Sequence, residues 1–240
     1  MKILIILFTT WLAGTGLSET PPTKQVKGDF APVAVLELFT SQGCSSCPPA
    51  DALLNKIIHD KQNSKVIGLS FHVDYWNRLG WDDPYSSSEF TKRQYWYSPN
   101  FSTGVYTPQV VINGNDEFVG GNKSASETKI KQALSKPANV AIDLSLTDNK
   151  LIYHLEGKYE DSILNFAVIQ NEVSNYVKRG ENGGKQLAHN NVVLSFNTKK
   201  VSNAQGEIQL KLPVNASKVI VYAQNNKNGA ILGASQIEIN

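Results

Sequence analysis

The chain has 240 residues, 41% of them hydrophobic, 18% charged and 9% aromatic; this is enough apolar content for one large core or two ordinary ones and excludes disordered and collagen-like chains. Its 23 basic and 21 acidic residues leave a formal net charge of +2 with no long run of either sign, so no electrostatic footprint for nucleic acid or an anionic membrane is present. The two cysteines, Cys44 and Cys47, can form neither a disulfide framework nor a four-cysteine zinc site, and whatever they do they do together.

In chain order, Met1-Lys2, the apolar runs Ile3 to Phe8 and Trp11 to Ala13, and the small residues Gly14, Gly16 and Ser18 read as a secretory signal peptide over residues 1–18. The run is shorter than the roughly 18–20 residues needed to cross hydrocarbon, and no later stretch supplies one, so no membrane span is expected after cleavage. Secretion places the mature chain in an oxidising compartment, outside the cell or in a periplasm, where a cysteine pair persists as a disulfide.

Residues 33–39, VAVLELF, bounded by Pro32 and by Ser41-Gln42-Gly43, suit a buried parallel strand. The C-x-x-C pair Cys44-Ser45-Ser46-Cys47 follows at once, and Leu53, Leu54, Ile57 and Ile58 then fall on one face of a helix. Pro48-Pro49 fits the first helical positions, with Cys47 as N-cap. Val66 to Val73 reads as a second buried strand and completes a right-handed βαβ unit, which puts its carboxyl end beside the cysteines. Aromatic residues crowd the inserted segment 74–106, from Tyr75, Trp76 and Trp81 to Tyr95-Trp96-Tyr97 and Tyr106. Such a segment covers the dithiol face and shapes a peptide groove, or packs the insertion onto the sheet. Gln109 to Ile112 and Glu117 to Val119 flank Asn113-Gly114-Asn115 as an antiparallel hairpin. A helix follows, with Ser124 and Glu127 at capping-box spacing and Ile130, Ala133 and Leu134 on one face, ending at Lys136-Pro137.

Beyond Pro137 the hydrophobic period changes to two. Val140 to Leu146 and Leu151 to Leu155 pair across Thr147-Asp148-Asn149, and further strands are expected at 163–170, 192–196, 208–212, 219–223 and 231–239. About seven short strands in roughly 100 residues predict an all-β sandwich over 138–240, after an α/β domain over 30–136. Arg179, Glu181, Asn182, His189, Asn190 and Asn191 read as a polar, glycine-rich connection between two of these strands.

A C-x-x-C between a buried strand and a helix is where a redox dithiol gains most from the helix start. Cys44, the first cysteine, is the expected nucleophile towards a protein disulfide, and Cys47 resolves the mixed disulfide. No cofactor is required beyond this redox-active disulfide. Two other readings stay open. One is a non-catalytic binding module with a structural disulfide, although closing a loop of about four residues removes only ~2 kcal/mol of unfolded-state entropy. The other is a copper- or zinc-handling protein that uses Cys44, Cys47 and His72.

The order strand, C-x-x-C, helix, strand, Thr107-Pro108, hairpin and helix resembles the thioredoxin fold. More narrowly, VLELFTSQGCSSCPPAD, DYWNRLGWDDP, VYTPQVVING and the RGENGG and HNNVV runs within 179–193 are similar to a family of secreted thioredoxin-like proteins, domain of unknown function family 1223. The resemblance covers most of the mature chain. It implies a thioredoxin-like fold, Thr107 and Pro108 at the family's cis-proline position against the dithiol, and Glu37 as the buried acid that serves Cys47; Trp76 and Trp81 of the aromatic-rich insertion are the residues expected in a substrate groove. The expected activity comes from the C-x-x-C context: a thiol–disulfide oxidoreductase acting on protein dithiols or disulfides together with a redox partner.

Overall fold

The computed structural model describes residues 30–239; the signal peptide expected at 1–18 lies outside them. Strand β1 (Ala34–Thr40) and strand β2 (Val66–His72) are buried at every position and pair in parallel, joined by helix α1 (Pro48–His59), whose N-cap is Cys47. The prolines at its first two positions need no backbone donor there. Helix α2 (Ser88–Tyr97) lies within the aromatic segment. It was not expected, because its buried face carries Arg93 and Gln94 between Phe90 and Tyr97 and so breaks an apolar pattern that is otherwise at helical spacing. Strands β3 (Gln109–Ile112) and β4 (Asp116–Val119) form the expected hairpin, with Asn113 and Gly114 both at positive φ as a primed turn requires. Helix α3 (Lys123–Leu134) starts earlier than the capping-box spacing implies: the Asn122 side chain, not Ser124, accepts from the Ala125 N–H, since a free asparagine just before the helix is as good a cap as serine.

The second half contributes β5 (Val140–Thr147), β6 (Lys150–Gly157), β7 (Ser162–Tyr176), β8 (Gln186–Lys200), β9 (Gln205–Gln209), β10 (Lys218–Asn225) and β11 (Ile231–Glu238). Here the architecture departs from two separate domains. Four of these strands continue the first sheet, giving one eight-stranded sheet of order β11-β10-β7-β8-β2-β1-β3-β4, and only β5-β6-β9 form a second sheet. The physical reason is the free edge of β2, a strand buried on both faces whose backbone groups need a partner. β8 supplies it in parallel at Ser70 and Val192. Beside that point Asn191 takes a positive φ and its side-chain amide donates to the Gly68 carbonyl at 2.9 Å.

Three cores follow from strand alternation. Leu36 and Leu38 face α1 and α3 with Ala50, Leu54 and Ile130. Val35 and Phe39 face the other way, with Phe71, Phe90 and Tyr97, and this core runs on through Ile169 to Tyr222. The three-stranded sheet covers the opposite faces of β7 and β10 through Ile142, Leu151, Phe166 and Val221.

Within the second core lies a buried ion pair. Arg93 donates through Nε and Nη2 to the two oxygens of Glu37, each at 2.8 Å, and through Nη2 to the Tyr97 hydroxyl and Gln224 Oε1. Burial works against the charged guanidinium, but the adjoining Glu37 carboxylate more than compensates and holds Arg93 well above its ordinary value. The pair ties β1 to α2 and, through Gln224, to β10. Removing one partner leaves an uncompensated buried charge, so Glu37→Gln is expected to lower stability by about 3–5 kcal/mol in urea unfolding. Glu37→Leu combined with Arg93→Met is expected to cost less than that single change.

Candidate redox site

Cys44 and Cys47 form a disulfide with a Cα–Cα distance of 5.4 Å, at the carboxyl edge of β1 and the start of α1. Ser45 and Ser46 are exposed, yet both cysteines are 0% accessible. Two elements close over them. The loop 177–185 between β7 and β8 lays Asn182 on the turn, its amide donating to the Gln42 carbonyl at 3.0 Å and the Cys44 carbonyl at 2.8 Å. Next to it, the Ser45 N–H donates to Glu181 at 3.1 Å, and hydrogen bonding from the Ser45 side chain, with that N–H second, lowers the Glu181 pKa. Trp76 from the inserted segment stands so close to Gly43 that a Cβ there would come within 3.0 Å of the tryptophan Cβ.

Of the residues expected at the site, Trp76, Trp81, Thr107 and Pro108 assemble around the dithiol turn. Trp76 Nε1 donates to Thr107 Oγ1 at 2.8 Å, and Trp81 Nε1 donates to Gln42 Oε1 at 3.1 Å. The Thr107–Pro108 peptide is cis, and Gly120, whose N–H donates to the Pro108 carbonyl, is packed between Ala50, Leu38 and Pro108 with no room for a side chain. Pro108 and the start of α1 therefore pack on the same glycine. Glu37 is the exception. It sits on the odd-numbered face of β1, away from α1, and both of its oxygens are bound by Arg93. The carboxylate expected to serve Cys47 is thus committed to the ion pair.

Beneath the first turn of α1 a different polar group is enclosed. Asp51, whose N–H donates to the Cys47 carbonyl at 3.1 Å, accepts from Thr40 Oγ1. His189 of β8 stands with Nδ1 3.4 Å from Asp51 Oδ1, without the alignment of a hydrogen bond. Gln42 fixes its tautomer. Gln42 Oε1 accepts from Trp81 Nε1 and from Asn175 Nδ2, so Gln42 Nε2 donates, and His189 Nε2 at 3.2 Å accepts. The His189 proton therefore resides on Nδ1, facing Asp51. His72 packs its ring at 78° to that of His189, with centroids 4.6 Å apart. Its Nδ1 bonds to Asp83 at 2.7 Å, and its Nε2 is buried without a partner. Burial opposes the charged imidazole, but Asp83 outweighs it and the His72 pKa is raised. Burial likewise opposes ionisation of Asp83, yet His72 and the N–H groups of Gln42 and Tyr85 bring its pKa below the ordinary value. The ligand set of Cys44, Cys47 and His72 is not assembled: among the described residues no group of three or more histidine, cysteine and carboxylate side chains is placed to hold a metal ion.

Gln42, Asp51, Asp83 and Asn175 were not singled out in the sequence. Asp51 carried the one usable signal, a carboxylate four residues after Cys47 on the same helical face as Leu54. His189, Asn190 and Asn191 belong to the buried part of β8 and not to the exposed connection, which is confined to 177–185.

A mixed α/β protein with one large sheet and an enclosed C-x-x-C disulfide at the carboxyl edge of its central parallel pair is the class that fold and site define. Residues 35–230 match the family described as Protein of unknown function (DUF1223), and the chain belongs to that family. It is similar to a protein from Agrobacterium tumefaciens of known crystal structure, at 31% identity and a TM-score of 0.69 over 85% of this chain and 93% of that one. HBP35 of Porphyromonas gingivalis shares the fold at 17% identity, with a TM-score of 0.65 over 89% of this chain and 77% of that one. No curated protein sequence matches the chain. Among the described residues no helix is long and apolar enough to cross a membrane.

Two outcomes follow from the geometry. Asn182→Ala removes both amide contacts that hold the loop down, and reduction of the disulfide by dithiothreitol is expected to accelerate at least about tenfold, read by alkylating released thiols and counting them by mass. The raised His72 pKa stabilises the fold fully below about pH 6.5, the ordinary histidine value, and this contribution fades as pH rises through the folded value. The stability margin of the native protein over His72→Gln in urea should therefore be larger at pH 5.5 than at pH 8.5.

Proposed function

We propose that the protein is a secreted or periplasmic thiol–disulfide oxidoreductase whose working group is the Cys44–Cys47 pair, carried by a thioredoxin-like first half. The observation that carries this reading is the position of the pair. It sits at the start of α1 over the carboxyl edge of β1 and β2, flanked by the Thr107-Pro108 loop and by Trp76. The run of elements β1-α1-β2 and β3-β4-α3, with α1 and α3 on one face, supports the thioredoxin-like assignment, and the signal-peptide pattern of residues 1–18 supports the location.

In the oxidised state a substrate thiolate attacks Cys44 Sγ; the Cys44–Cys47 bond breaks, and Cys47 leaves as a thiolate. A second substrate thiolate then attacks the substrate sulfur of the mixed disulfide and expels Cys44. The substrate dithiol loses two electrons and becomes a disulfide, while the pair gains them and becomes a dithiol. Run backwards, the same steps reduce a protein disulfide, and a redox partner restores the starting state.

One observation favours a rival. Full burial of both sulfurs is what a locked structural disulfide on a binding module would have. The reduction potential separates the two: mature protein is equilibrated in thiol/disulfide buffers and its alkylated cysteines are counted by mass. Reversible titration with a potential above about −300 mV is expected. A value well below that, or cysteines that never exchange, overturns the catalytic reading.

A further inference from the structure

Three backbone groups of the dithiol turn face the 177–185 loop: the carbonyls of Gln42 and Cys44 and the N–H of Ser45. All three are occupied by side chains of the 177–185 loop. Asn182 supplies an amide donor to both carbonyls, at 3.0 and 2.8 Å, as a passing peptide N–H would. Glu181 supplies an anionic acceptor to the Ser45 N–H at 3.1 Å. The loop is a preformed unit, closed on itself by backbone bonds from Val177 to Lys185, Gly184 to Val177 and Gly183 to Gly180. Its outer side is cationic: Lys178, Arg179 and Lys185 are exposed, as is Arg78 on the neighbouring segment, and none of the four forms an ion pair among the described residues. The exposed Leu79 and Tyr176 flank the loop, close to Gly180 and Gly184 respectively.

We propose that Glu181 and Asn182 occupy the place of the substrate, and that the substrates are extended peptide segments with an acidic residue beside the reacting cysteine. Such a segment puts its carboxylate on the Ser45 N–H and its backbone N–H on the Gln42 and Cys44 carbonyls, replacing the loop contact for contact. Leu79 and Tyr176 offer apolar anchorage at the rim. The unpaired cations favour an acidic newcomer over a basic one, and this selectivity acts mainly on the rate of encounter. On the turn side the exchange loses no hydrogen bond, because the two carbonyls and the N–H released by the loop are taken up by the segment, while the Glu181 carboxylate and the Asn182 amide, which also accepts from Lys185 Nζ, pass to water. This proposal rests on the exchange activity proposed above.

The test uses the full mature protein in its oxidised form and three reductants: a short cysteine peptide flanked by glutamates, its counterpart flanked by lysines, and dithiothreitol. The glutamate peptide is expected to open the disulfide about tenfold faster than the lysine peptide at low salt. That preference should shrink at high salt and vanish in the doubly substituted Lys178→Glu, Arg179→Glu protein, whose exposed positions leave the fold intact by circular dichroism. Equal rates, or a faster lysine peptide, alongside normal reduction by dithiothreitol would sink the substrate assignment and leave exchange standing. If dithiothreitol fails even with Asn182→Ala, the exchange reading falls, and the substrate assignment falls with it.

Discussion

The Glu37–Arg93 ion pair is the constraint on which the rest of the molecule depends. A guanidinium without water must be matched by a carboxylate and by further acceptors, and here Glu37 of β1 and Gln224 of β10, both distant in sequence, meet that demand together with the Tyr97 hydroxyl one turn along α2. Once Arg93 is anchored on β1, α2 has one place on the sheet. The rings of Tyr97, Phe196 and Tyr222 close around the cation and carry β8 and β10 with them. The inserted segment is then held at both ends, by β2 before it and β3 after it. Its front portion, with Trp76 and Trp81, has no course except across the dithiol turn.

The same economy of polar groups governs the turn itself. Gln42 is the junction: its side chain joins Trp81 of the insertion, Asn175 of β7 and His189 of β8, while its backbone N–H donates to Asp83 and its carbonyl accepts from Asn182. Each contact satisfies a group that would otherwise be buried unpaired, so the site is rigid where the two halves meet. Not every buried polar atom nearby is satisfied: His72 Nε2, His189 Nδ1 and Asp51 Oδ1 lie under α1 without hydrogen-bond partners, and Ser70 Oγ of β2 and Asn190 Oδ1 of β8 are likewise unpaired.

Much of this was legible from the order of residues. β1, β2, the β3–β4 hairpin and the β5–β6 hairpin followed from apolar runs and turn chemistry, and Cys47 as N-cap followed from the two prolines behind it. What failed to show has physical causes. α2 was hidden because its buried face holds Arg93 and Gln94, and a pattern of apolar residues cannot register a cation neutralised by a glutamate 56 residues away. Glu37 was visible as the lone carboxylate of a buried strand, but spacing to Cys44 does not reveal its partner, and strand alternation turned it to the far side. The continuity of the sheet was invisible because pairing between β2 and β8 leaves no local signature. The polar residues of 179–191 stood out, but composition alone could not separate an exposed cover from the buried strand that follows it.

The way β8 meets β2 also bears on the first half considered by itself. A single parallel bridge at Ser70 and Val192 and one asparagine amide make the seam, yet they shield a strand buried along its whole length. Residues 30–136 cut away from the remainder would present β2 as a bare, flat, apolar margin of seven residues, open to pairing with any other chain. The first half is therefore not a transplantable cassette. The later strands act towards it as an intramolecular chaperone that never departs, and any lineage that shed them would have had to blunt that margin by other means.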